Sequence, residues 1–209
     1  MEDVLEVYAR PYDAKRPQVC FDEAAKQILS EVREPIAAKQ DKVERVDNEY
    51  KREGTAAIFM LSQPLAGKRR VLVKDRRTAK DFADAIRFLV EEMYPEAEQI
   101  VLVLDNLNTH GAHSLYERFD PVMARRLCER IEWHFTPKHG SWLNMAEIEL
   151  SALATQCLAE RMESREKLER EIAAWETQRN AASVTVDWQF TTADARIKLK
   201  RLYPSNLTS

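Results

Sequence analysis

Cysteine is scarce in this chain. The three in 209 residues, Cys20, Cys128 and Cys157, are odd in number and far apart, and no CxxC pair occurs. That argues against a disulfide framework or a zinc knuckle and places the chain in a reducing cytoplasm. Long apolar runs are missing too. The longest, Ile100 to Leu104, is far shorter than the roughly 20 residues that a membrane-spanning helix needs, so no membrane association is expected. The opening stretch MEDVLEVYARPYDAKRP is charged and has no apolar centre, unlike a secretion signal. Positive charge is not in excess. With a net charge of -3, a whole-surface grip on nucleic acid is not expected, and any such contact must come from local basic patches. Internal repeats and low-complexity linkers are also absent.

What is present suits a packed domain. Hydrophobic residues make up 44% and charged residues 32%, enough for a core and unlike a disordered chain. The length fits one large α/β domain, or one domain with a helical appendage. Residues 1–17 read as a short helix and a Pro-flanked turn. Gln18 to Asp22 (QVCFD) reads as a strand with Val19 and Phe21 on one face and Cys20 and Asp22 on the other. Ser30 to Glu53 is polar and reads as a loop. Gly54 to Gln63 and Arg69 to Lys74 read as two strands joined by the turn PLAGK.

Thr78 is the expected N-cap of a helix running to about Tyr94, with Phe82, Ile86 and Leu89 on one face. QIVLVL, Gln99 to Leu104, is continuously apolar, as in a strand buried on both sides. Pro121 to Arg130 reads as a helix and Ile131 to Phe135 as a strand. A helix follows Gly140, with Ser141 as its expected cap. Another spans about Arg165 to Arg179 on a stripe of Leu168, Ile172 and Trp175. The tail holds VTVDWQF and a basic helical stretch from Thr192 to Tyr203. The order of elements predicts an α/β fold, a mixed sheet flanked by helices.

Three acids sit in suggestive places. Asp105 ends the buried strand, where α/β sheets place ligands; on position alone it is as readily a turn cap. Asp22 follows apolar residues in a strand, where a carboxylate is costly to bury unless it is hydrogen-bonded or binds metal; a solvent-facing strand end is the alternative. Glu23, its neighbour, points to the opposite face. Glu147 lies one turn into a helix, on a face with Asn144 and Ser151, while Glu149 points away; an ordinary solvated glutamate is the plainer reading. Together, two strands and a helix could bring three carboxylates to a pair of divalent cations about 3.5–4 Å apart, the arrangement that activates phosphodiester attack. Magnesium favours such oxygen donors.

VLVLDNLNTH followed by HFTPKHGSWLNMAEIEL resembles the bacterial insertion-sequence branch of the mariner-like DDE transposases. The carriers are the Asp-Asn pair after an apolar strand and the Pro-x-His-x-Ser-Trp-Leu-Asn loop entering the glutamate helix. VCFDE is similar to the family's first-acid strand, and the likeness runs from Val19 to the C-terminus through RTAKDF and DARIKLKRLYP. The resemblance implies an RNase H-like fold with Asp22, Asp105 and Glu147 as the catalytic and metal-binding triad. It implies two Mg²⁺ ions, with Mn²⁺ as a substitute, and cleavage of DNA at transposon ends followed by strand transfer into target DNA. The implied division is an N-terminal segment 1–17, a catalytic domain 18–180 and a basic tail 181–209 packed on or near it.

The interval from Asp105 to Glu147 is longer than in mariner-type members and similar to the insertion-sequence branch. Family members carry an N-terminal helix-turn-helix region that reads the transposon ends, and the residues before Val19 are too few for one. The expectation is a catalytic part of a split, frameshifted or truncated transposase. It leaves room for a homodimer and for a partner polypeptide bearing the helix-turn-helix. Two rival readings stand beside it: a relict fragment that binds DNA or full-length protein without cutting, and a stand-alone RNase H-like nuclease acting on RNA–DNA hybrids.

Residues expected near DNA are Asn106, His110, His139, Asn144, Arg76, Arg77 and Lys80. His110 and His139 could approach the scissile phosphate, although a hydrogen-bonded structural role is the commoner fate of a histidine. His113 and His134 read as structural, and Trp142 as packing its helix. Three basic clusters, Lys68-Arg69-Arg70, Lys74-Arg76-Arg77-Lys80 and Arg196-Lys198-Lys200-Arg201, are either solvated faces or phosphate contacts.

Overall fold

The computed structural model describes residues 1–31 and 49–203. Five strands form one mixed sheet, β1 (Gln18–Glu31), β2 (Tyr50–Gln63), β3 (Lys68–Lys74), β4 (Ile100–Leu104) and β5 (Ile131–Phe135), in the order β3-β2-β1-β4-β5. β1, β2 and β3 pair antiparallel, while β4 runs parallel to both β1 and β5. The expected mixed sheet flanked by helices is therefore present.

Period-two alternation divides the core in two. Val19 and Phe21 pack on one face with Phe82, Ile86, Leu89, Leu102 and Leu104. Cys20 packs on the other with Leu143, Ala146, Leu168 and Trp175. α2 (Ala79–Phe88), α3 (Ala112–Arg118) and α4 (Pro121–Glu129) cover the first face; α1 (Glu2–Tyr8), α5 (Ala146–Gln156), α6 (Arg165–Ala181) and α7 (Thr192–Lys198) serve the second. Both sides of β4 are thus covered, which is why IVLVL is apolar throughout and buried at every position.

Local chemistry fixes the ends of several elements. Thr78 caps α2 in a reciprocal box with Asp81, as its position predicts. α2 passes into a π-helical turn, Leu89–Met93, before Pro95. Asp120 caps α4, with Pro121 at its first turn. Gly67 turns the β2–β3 hairpin at φ +62°, and a β-carbon there would lie 2.6 Å from the Ser183 backbone, so the left-handed bend and the tail's approach both require glycine.

The structure corrects two readings and settles two stretches left unassigned. β1 runs on to Glu31 and β2 starts at Tyr50, so the ends of the Ser30–Glu53 stretch are strand; its middle, residues 32–48, lies outside the described residues. Residues 112–118, unassigned from the pattern, form α3. Ser141 is not a helix cap: it opens a three-residue 3-10 turn, and α5 begins at Ala146. The reason lies in Asn144, whose side-chain oxygen accepts from the Ala146 amide at 3.2 Å and starts the helix later. The VTVDWQF stretch, also unassigned from the pattern, lays Val186, Trp188 and Phe190 against the second core without forming a helix or strand.

Candidate active site

The chemistry gathers at the end of the sheet where parallel β4 terminates. β1 brings Asp22 there on the Cys20 face, β4 delivers Asp105 just past Leu104, and the first turn of α5 carries Glu147. Asp22 is the best held. Its Oδ1 accepts from the Glu23 amide at 2.7 Å, and the Asn144 amide lies 3.3 Å from its Oδ2. Asn144 also donates to the Phe21 carbonyl at 2.7 Å. This buried amide therefore ties the start of α5 to β1.

Asp22 senses the other two acids. Burial pushes the Asp22 carboxyl up to about 6; the Glu23 amide works against this, and the negative charges of Glu147 and Asp105 reinforce it. Glu147 is exposed, and among the described residues no cation pairs with it. No three acidic, imidazole or thiol side chains among the described residues already close into a metal cage. What exists is an open group of hard oxygen donors, the type that suits Mg²⁺ or Mn²⁺ and leaves room for water or substrate oxygens.

Tyr8 secures the loop into α5. Its hydroxyl donates to the Leu143 carbonyl at 2.6 Å and accepts from the Met145 amide at 3.3 Å. Burial and the nearby Cys20 hold its phenol well above the ordinary tyrosine range, so it stays a donor. The sequence pattern did not single out Tyr8; its one signal was its place beside Val7 at the end of an apolar helix.

The residues expected near DNA divide into exposed and buried groups. Asn106, His139, Arg76, Arg77 and Lys80 are exposed. His139 adopts φ 63°. Arg76, Arg77 and Lys80 precede and open α2 and have no ion-pair partner among the described residues. Asn144 and His110 are buried, at 1% and 3% exposure. Asn144 acts as the strut just described. The His110 ring does not face outward: its Nδ1 meets Asp105 Oδ1 and its Nε2 lies 3.0 Å from Glu23 Oε1. Burial opposes charge on this ring, yet the hydrogen bonds to Asp105 and Glu23 prevail and hold it at about 9.

Two of the three basic clusters are largely paired. Arg69 is buried and bonds the Val184 carbonyl at 2.6 Å, and Arg70 pairs with Glu176 at 2.9 Å. Arg196 forks onto Glu2, and Lys198 sits over the Phe190 ring. Trp142 is half exposed and packs on Trp188 and Phe190 of the tail. His134 is bonded to Asp3 and Glu132, and His113 to the Asn108 carbonyl, as structural histidines.

A mixed sheet in this order, flanked by helices on both faces, is an RNase H-like fold. The chain belongs to the DDE superfamily endonucleases, whose family model matches residues 17–169. The fold is similar to that in the crystal structure of the Mos1 Strand Transfer Complex, at TM-score 0.54 and 15% identity, over 83% of this chain and 50% of that one. It is also similar to the Mos1 mariner paired end complex with Mn, at TM-score 0.52 and 14% identity, over 87% and 55%. A third likeness is to the Mos1 transposase paired-end complex with left transposon end, at 0.54 and 14%, over 88% and 56%. The chain thus spans about half the length of the Mos1 chains. No curated protein matches it. Among the described residues no helix is long and apolar enough to cross a membrane.

Proposed function

We propose that the chain is the catalytic part of a DDE transposase that cuts DNA at transposon ends and joins the freed 3′-hydroxyl to target DNA. The observation that carries this reading is the meeting of Asp22, Asp105 and Glu147 from three separate elements. Burial, with the charges of Glu147 and Asp105 adding to it, raises Asp22, and no protein cation among the described residues pairs with Glu147. Asp22, Asp105 and Glu147 would hold two Mg²⁺ ions, or Mn²⁺ in their place. When bound, such ions activate the attacking oxygen and stabilise the leaving one.

The chain's own residues place those donors. Asn144 fixes Asp22 relative to α5, Tyr8 fixes the loop before it, and Arg76, Arg77 and Lys80 offer exposed charge to phosphates. Water attacks phosphorus in the cut and the transposon 3′-hydroxyl attacks it in the joining; in each case the opposite P–O bond breaks. The catalytic unit would be residues 18–180, buttressed by segment 1–17 and the tail from 181. A second copy of the chain, and a polypeptide with a helix-turn-helix that reads the ends, would complete the assembly.

The test is a strand-nicking and joining assay with Mg²⁺ on duplexes bearing terminal inverted repeats. It is run alone and with a helix-turn-helix partner fused to the chain, beside an RNA–DNA hybrid. Metal-dependent cutting and joining of the DNA is the expected result. Preference for the hybrid would replace this reading with that of an RNase H-like nuclease, and inactivity on every substrate would leave a DNA-binding relict.

A further inference from the structure

The two faces of β1 serve the site differently. Asp22 lies on the face that α5 covers, whereas Glu23 points to the other, among Phe21, Phe82 and the loop after β4. A glutamate there is out of keeping with its neighbours. Its side chain is 5% exposed, and among the described residues it has one polar side-chain partner, Nε2 of His110 at 3.0 Å. The His110 side chain is 0% exposed. Its ring stacks on Phe82 with centroids 4.7 Å apart and stands edge-on to Phe21 at 5.2 Å. From this aromatic slot its Nδ1 reaches past the end of the sheet to Asp105 Oδ1. Asp105 keeps 27% side-chain exposure, and its other oxygen has no protein hydrogen bond among the described residues.

A buried glutamate costs folding free energy unless its position has a use. Here burial and contact form a chain with one open end. Glu23 and the two phenyl rings permit the imidazole a single orientation. The imidazole takes one Asp105 oxygen and leaves the other without a protein hydrogen bond among the described residues.

We propose that Glu23 and His110 are positioning residues, a buried carboxylate–imidazole relay that reaches the site from the opposite face of the sheet and fixes Asp105 as a donor. This rests on Asp105 being a metal-binding acid, and the two ideas can fail separately. Groups that orient a metal's carboxylate or imidazole ligands typically alter metal affinity or activity by about 10–100-fold.

Mn²⁺ binding to the full chain, measured by calorimetry, gives a readout independent of turnover, and thermal melting reports the fold. Four variants suffice: Asp105→Asn, Glu23→Gln, His110→Asn and His110→Phe. Asp105→Asn should abolish specific Mn²⁺ binding. Glu23→Gln keeps size and loses the charge; it should weaken binding by roughly tenfold or more and, whatever melting temperature it loses with the pair, stay folded at the temperature of the titration. His110→Phe fills the slot without a donor and should weaken binding at least as much. His110→Asn, whose amide can stand where Nδ1 stood, should recover part of the loss.

If Glu23→Gln and His110→Phe bind Mn²⁺ within twofold of the parent while Asp105→Asn does not, the relay is wrong and the acid site stands. If Asp105→Asn binds like the parent, the acid site itself is wrong and the relay falls with it. Should His110→Phe fail to fold, Glu23→Gln alone decides: weakened binding supports the relay and unchanged binding overturns it.

Discussion

Glu147 and Glu149 stand two positions apart on α5, yet their surroundings differ in kind. Glu147 is exposed at the end of the sheet, close enough to raise Asp22 by its charge, and no cation among the described residues meets it. Glu149 is 2% exposed and takes the Arg179 fork at 2.7 and 3.1 Å. Arg69 Nε lies 3.0 Å from it, off the line of a hydrogen bond, so that contact is Coulombic. A helix advances about 100° per residue, so two steps carry a side chain to the far flank. The flank facing β3 and α6 neutralises its acid with protein cations. The flank facing Asp22 leaves its acid exposed and without a protein cation among the described residues.

The largest effects should come from the unmatched side. Asp105→Asn and Glu147→Gln each remove a charge and keep shape. Both should reduce Mg²⁺-dependent DNA cleavage to background while circular dichroism and melting show an intact fold. Either variant cutting as well as the parent would remove that acid from the site.

The matched side should answer in stability. Glu149→Gln leaves Arg69 buried without its counter-charge, and breaking a buried pair costs about 3–5 kcal/mol. Denaturant unfolding should show that loss, while cleavage per folded molecule stays close to the parent's. An inactive but stable Glu149→Gln would mean that the roles of the two glutamates are exchanged.

Glu132 extends the comparison to pH. Burial pushes its carboxyl up, but Arg10, His134 and Arg16 together bring it down to about 2, from an ordinary 4.5. Asp3 faces the same His134. A carboxyl lowered on folding adds stability above its unfolded value, and that contribution fades as the pH falls toward the folded one. The melting-temperature difference between the parent and Glu132→Gln should therefore be full above about pH 4.5 and shrink between there and about pH 2. A difference that does not change across that window would show that Glu132 acts through packing alone.

The same contrast separates what the sequence makes legible from what it does not. β4 and the Leu168-Ile172-Trp175 stripe were readable because burial on two sides, or on one helical face, leaves a period in the hydrophobic residues. Asp22, Asp105 and Glu147 were readable as a group through a family motif; no local period brings three distant acids together. Glu23 was assigned to the correct face of β1, but its partner was invisible, because His110 reaches it through tertiary packing from a loop 87 positions away. α3 carries only two buried residues, Ser114 and Leu115, too short an apolar signal to register. Arg69 looked like one of three clustered surface cations until Glu149, far off in sequence, claimed it. Charge runs reveal composition, while pairing is decided by the fold.

That last point yields the smallest predicted effect. Arg76, Arg77 and Lys80 are exposed and unpaired among the described residues, whereas Arg125 is just as exposed but already pairs with Glu129 at 2.7 Å. A cation that already has a carboxylate must give it up before it can meet a phosphate; a free one need not. If the chain neutralises about four to six phosphates, the slope of log affinity against log salt is roughly -4 to -5 for duplex DNA. Replacing Arg76, Arg77 and Lys80 with alanine should make that slope shallower by up to about 3, at about 0.9 per lost phosphate contact. The fold should be unaffected, because none of the three contacts the core. Arg125→Ala should leave the slope where it was. Fluorescence anisotropy on one duplex at several salt concentrations gives both numbers. An unchanged slope in the triple variant would move the phosphate-contacting surface away from the start of α2. A shallower slope in Arg125→Ala would mean that pairing in the free protein does not decide which cations DNA uses.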